Sequence, residues 1–84
     1  MDDNLTTDDM RRWLEYAVEH KSTHMIVCID LFSYECYPAY VAPDENVLDR
    51  IHNTNNRPMT RVEEVYNMKM DLEAQLAANR TYNL

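Results

Sequence analysis

The sequence predicts an α+β fold, a small single domain of order α-β-β-α-α with one antiparallel β-hairpin packed on helices. Three observations predict it: a helical repeat of apolar residues before residue 21, a β-branched, tyrosine-rich segment over 24–41, and a helix-start signature at residue 60. A chain of 84 residues forms one domain. A domain of this size buries only roughly 60 to 65 % of its unfolded surface. We assign 1–84 to it, with loose ends at about 1–4 and 80–84.

The first helix is predicted over residues 7–21. Its apolar residues have the i, i+3, i+4, i+7, i+8 spacing of an amphipathic helix. They are Met10, Trp13, Leu14, Ala17 and Val18. Thr6 or Thr7 can cap this helix, and the two aspartates that follow suit the positive end of its dipole.

The hairpin is predicted from strands over 24–31 and 35–41, where β-branched residues and period-two alternation replace the helical repeat. A three-residue loop over 32–34 would match the two apolar sets. The partners would then be Leu31 and Glu35, Ile29 and Tyr37, and Val27 and Ala39. Pro38 cannot donate a ladder hydrogen bond, so the second strand is an edge strand or has a local irregularity there.

Two further helices are predicted over 44–53 and 60–78. Asp44 is the expected N-cap of the first. Thr60 and Glu63 have the spacing of a capping box for the second, with Met59 placed as a hydrophobic staple. The chain contains no glycine, so its turns are expected to use Pro, Asn, Asp and Ser.

The predicted last helix carries two apolar rows, and a small domain with a two-stranded sheet can hardly cover both. The second row is a candidate contact surface for another copy, as a homodimer, or for a partner. Its members are Val62, Tyr66, Met70, Ala74 and Ala77. The alternative, that a small protein simply leaves some Met and Ala exposed, stays open.

The charge favours some partner classes over others. Fifteen acidic residues against eight basic ones give a net charge of −7. That field repels nucleic acid and attracts basic surfaces, although acidic charge can also serve solubility alone. No apolar run reaches the ~18 residues of a membrane span, and the acidic N-terminus is unlike a signal peptide. We therefore expect a cytoplasmic protein with both cysteines reduced and no membrane contact.

No catalytic, cofactor or metal motif is recognisable. His20, His24 and Cys28 have helical spacing, but the helix should end before Cys28, so four converging zinc ligands are not expected. The carboxylates near the hairpin are expected to be exposed, with nothing apolar to raise a pKa for acid-base chemistry. No fixed base or helix N-terminus is implied beside either thiol. We expect a protein that is not an enzyme.

Protein binding suits the tyrosines better, because tyrosine offers a large rigid contact area with a polar tip. Base stacking would need basic residues, and the hairpin has none between Lys21 and Arg50. The candidate partner-binding residues are Asp30, Tyr34, Glu35, Tyr40, Asp44, Glu45 and Asp49. Some strand tyrosines can instead be ordinary sheet residues, Tyr37 above all.

The stretch MIVCIDLFSYECYPAYV, the following PDE turn and the later RVEEVYNM resemble small bacteriophage and prophage proteins with a V-x-C-D-x-F-x-Y-E-x-Y-P-x-Y-V type hairpin. The pattern stands here at Val27, Cys28, Asp30, Phe32, Tyr34, Glu35, Tyr37, Pro38, Tyr40 and Val41, with Ile29 inserted. The resemblance spans about the middle and C-terminal two thirds of the chain. It implies a phage source, hence a bacterial host cytoplasm, and no particular activity.

Small acidic phage proteins often bind and disable host machinery such as restriction or CRISPR nucleases, so by analogy the expected function is inhibition of a host defence enzyme through its basic surface. Two alternatives remain. An oligomer could sequester a nucleotide at its subunit interfaces, with Arg57, Arg61 and Arg80 as the supply of cations. A purely structural accessory protein is the other.

Overall fold

The computed structural model describes residues 6–78 and 80–84, so the loose end expected at 1–4 lies outside the described residues. The elements are α1 (Thr7–Glu19), β1 (His24–Asp30), β2 (Glu35–Val41), α2 (Val47–Asn55), β3 (Thr60–Asn67) and α3 (Leu72–Ala77). The α+β class is confirmed, and the order is α-β-β-α-β-α.

The sheet is antiparallel with strand order β2-β1-β3, so the middle strand is the first along the chain. Four consecutive residues of β1, from Met25 to Cys28, are buried, which requires cover on both faces of the sheet. Helices supply that cover, with α1 and α3 on one face and α2 on the other. We call these the α1 face and the α2 face.

The hydrophobic core is divided between the two faces by the alternation of side chains along the strands. On the α1 face, the buried cluster consists of Met10, Leu14, Ala17, Met25, Val27 and Tyr66. On the α2 face, it consists of Ile26, Cys28, Val41, Ile51, Val62 and Val65. The sheet thus separates two small hydrophobic cores, one on each of its faces.

Helix α1 begins as the sequence predicts. Thr6 is its N-cap, and its side chain and that of Asp9 form a reciprocal capping box. The helix ends at Glu19, two residues before the predicted end, in a Schellman arrangement: the Ser22 N–H donates to the Ala17 carbonyl over 2.9 Å, and the Lys21 N–H to that of Val18 over 3.0 Å.

Among the described residues, three non-glycine residues take the left-handed backbone region that usually belongs to glycine. Lys21 has φ 58°, Tyr34 60° and Met59 60°. The expectation that turns would be built from Pro, Asn, Asp and Ser alone is therefore wrong. Each such position carries a conformational cost of about 1 kcal/mol or somewhat more that glycine would avoid.

The long helix predicted over 60–78 is wrong, because residues 60–67 form β3. The apolar run of β1 has to be paired on both edges, and a hairpin alone leaves one edge open. The segment that contains Val62 and Val65 pairs with the second edge of β1, and this pairing outweighs the local helix signals at Thr60 and Glu63. A β-bulge opposite Val27 and Cys28 interrupts the alternation of side chains between the two faces of β3. The apolar residues of β3 therefore have a spacing in the sequence that resembles that of a helix.

The hairpin itself is confirmed, but its register is wrong by one residue. A four-residue loop over 31–34 joins the strands, so that Asp30 pairs with Glu35 and Ile29 with Cys36. Every side chain of β2 therefore faces opposite to the expected direction. Cys28 consequently lies on the α2 face and Cys36 on the α1 face, not on one shared face.

Helix α2 also begins later than predicted. Its N-cap is Asn46, whose side chain accepts the Asp49 N–H over 3.1 Å, and the helix runs to Asn55 rather than ending at 53. Asp44 lies in the turn before the helix and does not cap it. The side-chain carbonyl of Asn46 stands three residues before the N–H that it accepts, which is the spacing that an N-cap requires.

Each edge of the sheet has a feature that limits strand addition. Residues 80–84, expected to be loose, lie parallel to β3, with the Val65 N–H donating to the Thr81 carbonyl and the Asn83 N–H to the Val65 carbonyl, each over 2.9 Å. On the other edge β2 offers Pro38, which has no N–H, and its Tyr40 carbonyl accepts from Arg50 over 3.1 Å. Neither edge is open to easy strand addition.

Candidate protein-binding surface

The three strands end together at the hairpin side of the sheet. Asp30 pairs with Glu35 across the hairpin and with Thr60 of β3. The loop over 31–34 therefore lies beside the turn that precedes β3, and the Leu31 N–H donates to the Met59 carbonyl over 2.8 Å. We call this end, formed by residues 30–35 together with 58–59, the hairpin tip.

The hairpin tip exposes large apolar side chains. Phe32 is 82 % exposed, Tyr34 67 % and Met59 51 %. Single exposed apolar residues are ordinary on protein surfaces, whereas several at one end of the fold are typical of a binding site. Aromatic side chains and methionine are also the residues enriched in the centres of protein interfaces.

Backbone hydrogen bonds hold the loop in shape. The Asp30 carboxylate accepts the Phe32 N–H over 2.8 Å, and the Asp30 carbonyl accepts the Tyr34 N–H over 2.6 Å. Asp30 thus forms an Asx turn, the structural role that aspartate usually has beside a tight turn. Because these hydrogen bonds already order its backbone, the loop that carries Phe32 and Tyr34 should lose little backbone entropy on binding.

Tyr34 is a poor choice for stability alone. Its left-handed backbone disfavours a large side chain, and its ring gains little burial in return. Glycine or asparagine would satisfy the same turn at lower cost. Strain held at an exposed aromatic residue is the pattern expected where the side chain serves a contact outside the molecule.

The seven candidate partner-binding residues are divided between two ends of the sheet. Asp30, Tyr34 and Glu35 lie at the hairpin tip. Asp44, Glu45 and Asp49 follow the far end of β2, a strand about 20 Å long at ~3.3 Å per residue. The sequence thus grouped residues that the structure places at the two opposite ends of β2.

Tyr40, near the far end of β2, completes the seven candidates, and it and Glu45 have structural partners. Glu45 accepts the Ala42 N–H over 2.9 Å and pairs with Arg50 over 2.7 Å, and the backbone hydrogen bond is the main cause of its lowered pKa. Tyr40 packs against Tyr16 of α1 with ring centroids 4.7 Å apart and the rings tilted by 38°. Burial raises the pKa of Tyr40. These two residues hold β2 to its neighbours.

The candidate oligomer face is not a continuous surface. Val62 and Tyr66 are buried on opposite faces of β3, whereas Met70, Ala74 and Ala77 are exposed in and beside α3. The five residues shared a row only on a helix that does not form. The long C-terminal helix that was to present this face does not form, and a homodimer stays a prediction.

The groups considered for chemistry are dispersed. Cys28 and Cys36 are free thiols on opposite faces, and burial raises the pKa of each. Within residues 6–78 and 80–84, no three His, Cys, Asp or Glu side chains are grouped as a metal site. His20 stacks on Tyr16 at 3.9 Å, and His24 contacts the Leu84 carbonyl at 2.9 Å.

The arginines that a nucleotide site would need are committed elsewhere. Arg61 and Arg80 both pair with Glu63, over 3.1 and 3.3 Å. Arg57 is exposed in the loop after α2. Two of the three cations thus neutralise one carboxylate instead of converging on an open site.

Sequence reasoning missed Phe32 and Met59. Phe32 was assigned to the loop without a role, and Met59 to a staple on a helix that does not form. A four-residue loop would have indicated Phe32, because an aromatic residue at the second loop position cannot reach either core. Met59 is brought to the tip only by β3.

No protein-family model, curated protein or solved structure matches this chain. Among the residues that the structure describes, no helix has both the length and the apolar character needed to cross a bilayer.

Proposed function

We propose that this protein is a non-enzymatic binding protein that docks its hairpin tip on a basic surface of another protein. The observation that carries the proposal is the exposure of Phe32, Tyr34 and Met59 at one ordered end of the sheet. These side chains supply the apolar centre of the contact. The net charge of −7 steers the whole molecule toward a positive partner.

The partner class follows from charge and from the resemblance to phage proteins together. A protein surface that carries a strong positive field is most often one that binds nucleic acid. An acidic protein that occupies such a surface competes with the nucleic acid for it. We therefore propose a host nucleic-acid-directed defence enzyme, of the restriction or CRISPR class, as the partner that is bound and inhibited in the bacterial cytoplasm.

The test begins with capture of interacting proteins from a bacterial lysate on the immobilised protein, followed by binding kinetics with each purified candidate. Replacing Phe32 and Tyr34 together by serine should raise the dissociation rate by about thirtyfold or more, as expected for loss of a hot spot of ~2 kcal/mol. Leu48→Ser is the matched control, since Leu48 is 56 % exposed on α2 and should not contribute.

Salt dependence tests the charge half of the proposal. Raising the ionic strength from about 0.01 to 0.15 M shortens the Debye length from about 30 to 8 Å. The association rate should fall accordingly, while the dissociation rate changes little. A partner whose dissociation is unaffected by the double serine variant would overturn the tip assignment. An association rate indifferent to salt would overturn steering by charge.

A further inference from the structure

A groove lies between α1 and α3, away from the hairpin tip. Its volume is about 460 Å³. The residues that line it are Arg11, Leu14, Glu15, Val18, Glu19, Leu72, Glu73 and Leu76. Four of these are aliphatic, and they come in equal number from the two helices. The other four lining residues are charged, so the groove combines a strip of aliphatic side chains with charged ones.

The aliphatic side chains are unequally covered. Leu14 is buried and forms part of the core, and Leu72 and Leu76 are partly buried against it. Val18 is 53 % exposed although it stands within an amphipathic helix. One more apolar side chain placed over Val18 would bury area that the fold itself leaves in water.

The rim of the groove is acidic. Glu15, Glu19 and Glu73 are exposed around it, with Arg11 as the one lining cation. Arg11 is engaged by Glu73 in a bidentate pair that connects α1 to α3, and that pair lowers the pKa of Glu73. Glu15 and Glu19, one helical turn apart, form no salt bridge among the described residues.

The lining favours a peptide over a small molecule. Small-ligand sites of similar volume usually contain a few buried, converging polar groups that orient the ligand. Here the polar groups stand only at the exposed rim. From Arg11 to Glu19 the groove follows about 12 Å of helix at ~1.5 Å per residue, which matches about two turns of a partner helix.

We propose that the α1–α3 groove binds a basic amphipathic helical segment of a partner protein, with its apolar residues over Val18 and Leu72 and its lysines or arginines beside Glu15 and Glu19. This is the helix-in-groove mode of recognition, in which side chains at i and i+4 or i+3 anchor the helix. The acidic rim selects a cationic segment. The surface is separate from the hairpin tip, so either can be correct without the other.

The probe is a synthetic peptide of about 14 residues, close to four helical turns, with leucines on one helical face and lysines elsewhere. Two control peptides accompany it: one of the same composition in scrambled order, and one with glutamate in place of each lysine. Calorimetry gives the affinity, and backbone amide shifts in ¹⁵N-labelled protein give the location. The patterned peptide should bind at least tenfold more tightly than either control, with shifts centred on Val18 and Leu72.

Matched protein variants separate the groove from charge alone. Val18→Lys and Leu48→Lys add the same charge at residues of similar exposure on opposite faces of the sheet. Val18→Lys should weaken binding at least tenfold, about 1.4 kcal/mol, and Leu48→Lys less than about twofold. Glu19→Gln should weaken binding more than Glu35→Gln, because Glu35 lies at the hairpin tip.

Several results would overturn the proposal. Equal effects of the two lysine variants would show attraction by net charge without docking, as would equal binding of the scrambled peptide. Shifts confined to residues outside the groove would place the peptide elsewhere. A concentration-dependent dimer that Val18→Lys abolishes, measured by sedimentation equilibrium, would show that a second copy of this chain is the occupant.

Discussion

The buried side chain of Gln75 should be among the most costly to replace in this protein. It is 4 % exposed in α3 and binds both backbone groups of Asn67, the last residue of β3: its Oε1 accepts the Asn67 N–H over 2.8 Å, and its Nε2 donates to the Asn67 carbonyl over 2.9 Å. Oε1 also accepts from Asn83 over 3.0 Å. One amide side chain thus continues the edge ladder that Thr81 and Asn83 form beside Val65.

Gln75→Ala leaves the N–H and the carbonyl of Asn67 without these partners. An unsatisfied buried polar group costs about 1 to 3 kcal/mol, and partial access of water reduces the sum, so the expected loss is roughly 2 to 4 kcal/mol. A domain of 84 residues has a total stability of only about 4 to 13 kcal/mol. The urea midpoint, followed by circular dichroism, should therefore fall by a large fraction of its parent value.

Gln75→Glu keeps the shape and replaces the amide donor by a carboxyl oxygen facing the Asn67 carbonyl. The charged form is buried against an acceptor, whereas the protonated form can donate as the amide does, so the folded-state pKa of the introduced carboxyl should lie above its unfolded value of about 4.3. Its support of the fold is then present below that value and lost as pH rises through the folded-state pKa.

The midpoint difference between Gln75→Glu and the parent should consequently be small near pH 4 and large at pH 7. Comparison with the parent at each pH removes the contribution of the other carboxyl groups, whose own titration lowers the stability of both proteins in acid. A Gln75→Ala protein that unfolds at the parent midpoint would refute the reasoning, because the Asn67 peptide would then be satisfied without the side chain. A pH-independent difference for Gln75→Glu would refute the donor argument.

Two further predictions concern stability. Lys21→Gly should raise the free energy of unfolding by up to about 1 kcal/mol, since Lys21 occupies the left-handed C′ position of a Schellman motif. Glu19→Gly, in the last turn of the same helix, should lower the free energy of unfolding by a similar amount. Urea titrations of both variants check this, and a loss of stability for Lys21→Gly would contradict it. Burial and the hydrogen bond to Glu64 raise the pKa of Tyr66 above the unfolded value of about 10, so stability should decline as pH rises past that value. Tyr66→Phe should show a shallower decline between about pH 9 and 11, and equal slopes would show that Tyr66 does not titrate on unfolding.

The candidate site was only partly visible in the sequence. Tyr34 was identified because tyrosine offers a large rigid contact area with a polar tip. Asp30, a candidate partner-binding residue, orders the hairpin turn in the structure by accepting the Phe32 N–H. Phe32 and Met59 were not identified. The position of Phe32 depends on the length of the hairpin loop, and that of Met59 depends on β3, a strand that no local pattern indicated.

The sequence by itself determined the features that depend on neighbouring residues. The capping box at Thr6, the amphipathic face of α1, the hairpin and the edge position of Pro38 all follow from interactions within a few residues, or from the chemistry of one. Local signals are decisive there because no distant segment offers those backbone groups a better partner.

Only the tertiary structure decided which segment pairs with the open edge of β1. Residues 60–67 have helix-start signals, yet Met25 to Cys28 form an apolar strand whose backbone groups need partners on both sides. Burying Val62 and Val65 against that strand outweighs a cap of about 1 kcal/mol. The same pairing creates the bulge, brings Met59 to the hairpin tip, shortens the last helix to Leu72–Ala77 and leaves the β3 edge for Gln75 and the C-terminal segment to complete. Each of these depends on contacts between segments distant in the chain, which a local pattern does not encode.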